Sequence, residues 1–199
     1  MDNQRTILEK AESLFMRYGV KSVSMDDVAR ELGISKKTLY QYFATKEDLL
    51  IQTLQHNRRC ELAYIADTLA KAGNALEEIV EIAHMVIRSL KKISPSLIFD
   101  LKKYHPEAFK VLEDTTRTDI YERIRANLEK GIAQGLYLPH LDVEIMSRIH
   151  VNSFNLIMDE RLFPDNIPKD QVFREYIMHY LRGIISPLGL QYLEKYMQI

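Results

Sequence analysis

In 199 residues the sequence has one cysteine, no tryptophan, seven glycines and six prolines. A lone Cys60 excludes an intramolecular disulfide and fits a reducing, cytoplasmic setting. No window of about eighteen uncharged apolar residues occurs, so no segment reads as spanning a membrane. The first residues run directly into an amphipathic pattern, without the apolar stretch of a signal peptide. Excess charge is lacking too: 27 Lys and Arg stand against 28 Asp and Glu, a formal net charge of −1. That balance argues against a protein that coats nucleic acid by overall charge, so any positive surface must be local. Alternating β-branched runs are scarce, which points to an all-α chain.

What is present is a row of helices. Ile7, Leu8, Ala11, Leu14, Phe15 and Tyr18 recur at helical spacing, and Gly19 ends the run. Ser24 stands three residues before Asp27, a capping box that opens a short helix to Leu32. Gly33-Ile34 is a tight turn, and Ser35 caps a second short helix ending near Tyr42. Thr45 and Asp48 form another capping box, starting a helix over 46–71. Further helices are expected over 75–93, 96–104, 107–134, 142–161 and 169–185. Pro187 and Gly189 then stop the last one and leave a short tail.

The informative stretch is residues 22–50. Two short helices cross over a very short turn, with Ala29 small at the close approach and Gly33 free to take a positive φ. Val28, Leu32, Ile34 and Leu39 can bury together against Leu14 and Phe15. The helices after Ser24 and Thr45 begin with acidic residues, as the helix dipole prefers, but the one after Ser35 begins with Lys36 and Lys37. Exposed cations there are disfavoured by roughly 0.3–1 kcal/mol each. A polyanion approaching that end would explain the choice. Thr38, Tyr40, Gln41 and Tyr42 add hydrogen-bonding groups suited to base edges or phosphates in a major groove. Lys46, opening the next helix, joins a cation to free backbone N–H groups, a phosphate anchor. The bland alternative is a solvated surface helix with two lysines; a complete helix-turn-helix pattern around the pair makes that reading the weaker one.

Residues 5–52 resemble the DNA-binding region of the TetR (tetracycline repressor) family, and the phrase from Gly33 to Leu49 is similar to that family's signature nearly throughout. The resemblance implies that Lys37, Thr38, Tyr40, Gln41 and Tyr42 lie at the groove, with Tyr42, Lys46 and Ser24 on phosphates. Ser35 and Lys36 at the start of the same helix complete the DNA-binding set. Gln41 falls at a variable position and is the candidate for sequence reading. The resemblance further implies a division into a helix-turn-helix domain, 1–46, and a helical effector-binding and dimerisation domain, 47–199. It implies a homodimeric cytoplasmic regulator, a repressor, on a palindromic double-stranded operator. A small-molecule effector would release it.

The last helices support part of this. Phe173, Tyr176, Ile177, Tyr180 and Ile184 form one wide apolar stripe, and Ile149, Phe154 and Ile157 another. They could pack within their own domain; the reading taken here is a four-helix dimer interface with a second copy. Pocket residues do not follow from the sequence. Met85, Phe99, Tyr104, His105, Phe109 and Tyr121 are named from the family's layout alone, with core placement as the alternative. An enzyme is the rival class. Glu81 and His84 make a single Glu-x-x-His step where a di-iron bundle needs two, and the six histidines show no ligand pairing. No metal, cofactor or catalytic residue is expected. A second rival, a helix-turn-helix protein that has lost DNA binding, would show replacements at Lys37, Thr38, Tyr42 and Lys46; none is replaced.

Overall fold

The computed structural model describes residues 3–92, 95–159, 161–164 and 166–196. Among them the chain forms α1 Asn3–Tyr18, α2 Met25–Leu32, α3 Lys36–Tyr42, α4 Lys46–Lys71, α5 Ala75–Leu90, α6 Pro95–Tyr104, α7 Pro106–Ala133, α8 Val143–Ile157, α9 Lys169–Ile184 and α10 Pro187–Tyr196. The all-α expectation holds: the described residues contain no strand, only one isolated antiparallel bridge between Tyr137 and Ile185. The chain separates into two compact units, Met1–Tyr64 with Lys92–Glu113, and Ile65–Lys91 with Asp114–Ile199.

The first unit is built on α1, whose Ile7, Leu8, Ala11 and Phe15 are buried. They share one core with Val28, Leu39, Phe43, Leu49 and Leu50, and Leu14, Leu32 and Ile34 pack against it. Each fully buried large side chain contributes roughly 1.5–3 kcal/mol of transfer free energy, which three short helices need. Leu97 and Leu101 of α6 belong to the same core. The Lys21 amide also donates to the buried Asp100 carboxylate at 2.7 Å. A segment about eighty residues downstream thus completes the helix-turn-helix core.

In the second unit α5 packs on α9 and α10, and α8 on α9. Its interior holds a polar network. The Asn127 amide donates to the Ala75 carbonyl at 2.8 Å and to Glu78 at 2.9 Å, and Lys130 pairs with the same Glu78. The Tyr137 hydroxyl donates to the Ala75 carbonyl at 3.1 Å and lies 3.0 Å from Asn127 Oδ1. Burial of a carboxylate is tolerable here because its oxygens are taken by an ammonium and an amide.

Two boundaries differ from expectation. α8 stops at Ile157, not near 161, because Asp159 forms a local turn in which its carboxylate accepts from the Arg161 amide at 2.9 Å. The expected tail is helix α10: Pro187 opens it, since a first-turn proline lacks an N–H that has no partner there anyway. The Ser186 hydroxyl accepts from the Gly189 amide at 3.0 Å, so Ser186-Pro187 is a cap and first turn. Gly189 continues the helix where a Cβ would meet the Leu136 carbonyl oxygen at 2.1 Å. The end of the expected 75–93 helix falls outside the described residues; α5 is helical to Leu90.

Candidate nucleic-acid interface

The local geometry around α3 follows from three caps. Ser24 caps α2: its hydroxyl accepts from the Asp27 amide at 3.2 Å, while the Asp27 carboxylate accepts from the Ser24 amide at 2.9 Å. The Ser24 hydroxyl and amide hold the Asp27 carboxyl below its usual range. Gly33, with φ 67°, ends α2 in the left-handed region, and Ile34 N–H reaches back to the Ala29 carbonyl at 3.0 Å. Ser35 then caps α3, accepting from the Thr38 amide at 3.0 Å. Thr45 caps α4, its Oγ1 accepting from Asp48 N at 3.0 Å.

The result is a seven-residue helix anchored from one side: Leu39 is its buried residue, followed by Phe43 in the core. Lys36, Lys37, Tyr40, Gln41 and Tyr42 are exposed and Thr38 is half-buried. Seven residues span about 10 Å, within a major groove about 12 Å wide. The two lysines divide. Lys36 pairs with Asp26 of α2 at 2.9 Å, which raises its pKa and offsets the helix dipole. Lys37 is exposed, and no ion pair to it is found among the described residues. Lys46 is half-buried; desolvation lowers its pKa against the pull of Asp100, Asp27 and Glu47.

One contributor gave no signal in the sequence. Asn3 Nδ2 donates to the Tyr42 hydroxyl at 3.3 Å, and Gln4 donates to Gln52 at 2.9 Å, so the start of α1 braces the end of α3 and the first turns of α4. Pairs about forty residues apart leave no local pattern to read.

The residues named for an effector site are dispersed. In the first unit, Phe99 and Tyr104 are exposed, the Tyr104 hydroxyl lies 3.1 Å from the Lys21 ammonium, His105 pairs with Glu47, and Phe109 packs on the helix-turn-helix core. In the second, Tyr121 bonds Glu144 and Met85 lies half-buried on α5. The residues named for a dimer interface also divide. Ile149 and Phe154 are exposed at 52% and 39%. Ile157, Phe173, Ile177, Tyr180 and Ile184 are buried within the single chain, and Tyr176 is half-buried. α9 lies against α5 and α8 of its own unit, and the buried part of its stripe packs within the chain. Among the described residues no three His, Cys, Asp or Glu side chains converge as a metal site would require, and no helix is long and apolar enough to cross a membrane.

Comparison with known proteins agrees with this geometry. Residues 7–53 match the family model described as bacterial regulatory proteins, tetR family. The transcriptional repressor KstR2 of Mycobacterium tuberculosis is 24% identical over 149 residues, covering 71% of this chain and 72% of that protein. Its solved structure, described as a ketosteroid transcriptional regulator, superposes with a TM-score of 0.63 at 21% identity, over 94% of this chain and 97% of that one. A transcriptional regulator from Saccharomonospora viridis in complex with choline gives a TM-score of 0.75 at 19% identity, over 92% and 97%. The TetR family regulator PfmR of Thermus thermophilus gives 0.61 at 25% identity, over 88% and 97%.

Proposed function

We propose, from the premise that this chain is a tetR-family regulator by its residues 7–53, that it is a homodimeric repressor which a small molecule releases from a palindromic operator. It is a sequence-specific DNA-binding transcriptional regulator. The observation that carries this is α3 itself: a capped helix held by Leu39 alone, with Lys37, Tyr40, Gln41 and Tyr42 all turned to solvent. A helix that exposes so much of its surface does little for the core, and its polar groups match groove chemistry. Lys37 supplies mobile positive charge at the dipole's positive end, where only an anion offsets it. Ser24, Tyr42 and Lys46 take phosphates, Gln41 reads a base, and Ser35 and Lys36 hold the helix start.

The second copy sits on α8. Ile145, Ile149 and Leu156, 55%, 52% and 54% exposed, leave an apolar stripe on α8; the exposed Phe154 lies about half a turn away around the same helix. Two such faces across a two-fold axis bring α8 of one copy against α8 of the other, and a dimer carries two α3 helices for two half-sites. Residues 1–46 read DNA and residues 47–199 sense and dimerise; the whole acts in the cytoplasm. The choline-bound neighbour and KstR2 support an effector-responsive repressor without naming this chain's effector. An effector releases DNA only through differential affinity for the bound and free states.

Fluorescence anisotropy against the gene's own upstream DNA, at about 50 and 200 mM salt with random DNA as control, tests the reading. Binding tighter than the control by about a thousandfold supports it. Equal binding there and in a selection from random sequence refutes it.

A further inference from the structure

The buried polar groups of the second unit are nearly all satisfied. Ser147 donates to the Val143 carbonyl at 2.7 Å and Ser153 to the His150 carbonyl at 2.6 Å. Asn127, Glu78 and Tyr137 close on one another and on the Ala75 carbonyl. The exception is Tyr180. Its side chain is 5% exposed, and its hydroxyl has no hydrogen-bond partner among the described residues. A buried hydroxyl without a partner carries its whole desolvation cost, and native structures keep few such groups without a reason.

The surroundings define what could satisfy it. The His150 ring centroid lies 4.6 Å from that of Tyr180, and Tyr176 stacks at 6.1 Å. Phe173 lies 6.1 Å from Tyr176, whose hydroxyl is 2.9 Å from His150 Nδ1. Burial lowers the His150 imidazole to about 4, lifts Tyr176 to about 12 and raises Tyr180 further, so all three are neutral at pH 7. Tyr137, buried and neutral, also lies within electrostatic reach of Tyr180, and burial, not a charged neighbour, is the main cause of the shifts at His150 and Tyr180. A ligand charge would find no counter-charge among these groups. A phenol is foremost a donor, so the missing partner is an acceptor.

We infer that the Tyr180 hydroxyl is the polar anchor of the effector site, holding an uncharged, mostly apolar molecule by a carbonyl or hydroxyl oxygen against the rings of His150, Tyr176 and Phe173. This rests on the effector-controlled reading above and names the site and the ligand class within it. It replaces the dispersed set drawn from family layout. Tyr180 came into view as an apolar-stripe residue, and only the folded interior exposes its unused hydroxyl.

The test uses the full chain and its Tyr180→Phe variant, which keeps the ring and deletes only the unsatisfied group. Without ligand, Y180F melts at or above the wild-type temperature. Three matched probes follow: 4-phenyl-2-butanone, 4-phenylbutanoate and 4-phenylbutylammonium. The ketone raises the wild-type melting temperature more than either ion does, and its apparent affinity falls about three- to tenfold in Y180F. A ketone without effect, an equal ketone response in both proteins, a stronger response to either ion, or a probe-free Y180F that melts lower overturns the assignment. A mixed metabolite library scored for release of selected DNA separates the two levels. Compounds that release wild type and Y180F alike leave effector control standing and remove Tyr180 from it; a library that releases neither protein removes both.

Discussion

α3 and α9 are both short stretches with a clear pattern, and they use it in opposite ways. α3 buries only Leu39 and turns its polar side chains to solvent. α9 buries Phe173, Ile177, Tyr180, Leu181 and Ile184, and what it leaves exposed is mostly charged or polar. A stripe at helical spacing says that a helix has a buried face, not whether its own chain or a second copy buries it. Polar residues kept on a helix that hardly needs them for folding are the better sign of a binding surface.

The largest test of that contrast is Ile184→Asp against Ile149→Glu. Ile184 is fully buried, so a carboxylate there costs about 4 kcal/mol or more, and cooperative melting is lost or falls steeply by circular dichroism. Ile149 is half exposed, so I149E keeps its helical melt within about 0.5 kcal/mol per chain and instead yields monomers by light scattering. A folded, monomeric I184D would return the α9 stripe to the interface, and a dimeric I149E would take α8 out of it.

Next in size is a pH effect confined to the second unit. Burial depresses His150 from 6.5 to about 4. The unfolded chain therefore binds a proton between those values that the folded one does not. Stability is complete above about pH 6.5 and is lost as pH falls toward 4, by up to about 1.4 kcal/mol per pH unit. His150→Gln should flatten urea midpoints measured across that range; an unchanged slope would assign the acid sensitivity elsewhere.

These contrasts also mark what the residues disclosed before folding. The caps at Ser24, Ser35 and Thr45 and the Gly33 turn are local relations, and the core of Phe15, Val28 and Leu39 follows from apolar spacing on three consecutive helices joined by short turns; all are readable. The support of that core by Leu97, Leu101 and Asp100 was not, because partners about eighty residues apart share no periodicity. Pro187 was misread as a stop since proline ends one helix and begins another with equal ease; Ser186 before it was the cue. Within the candidate site, the polar face of α3 was legible because residue types alone set its chemistry. The pairing of Lys36 with Asp26 and the bracing of Tyr42 by Asn3 depended on how the helices cross. The unsatisfied Tyr180 hydroxyl had no sequence signal at all, since an absence of partners exists only in the fold.

Within α3 itself the comparison sharpens between reading and anchoring. Gln41→Ala should change base preference at one operator position by about 1–3 kcal/mol while leaving binding to random DNA unaltered. Selection from a randomised duplex pool decides it, and an unaltered preference would remove Gln41 from base reading.

The smallest expected effect belongs to Lys46, and its surroundings explain why. A free ammonium on a phosphate releases about one counterion, so Lys46→Ala should reduce the slope of log affinity against log salt by about one and weaken all sequences alike. Lys46 is half-buried, with Asp27, Glu47 and Asp100 close enough to act on it, and desolvation already disfavours its charged form. Part of its positive charge is therefore compensated before DNA arrives, and the affinity loss should fall below that of Lys37→Ala, whose side chain is exposed. Salt titrations of the two variants on random DNA rank them directly. A larger loss at Lys46 would mean that the phosphate displaces those carboxylates, making the acidic surround of α4 part of the binding event and not a brake on it.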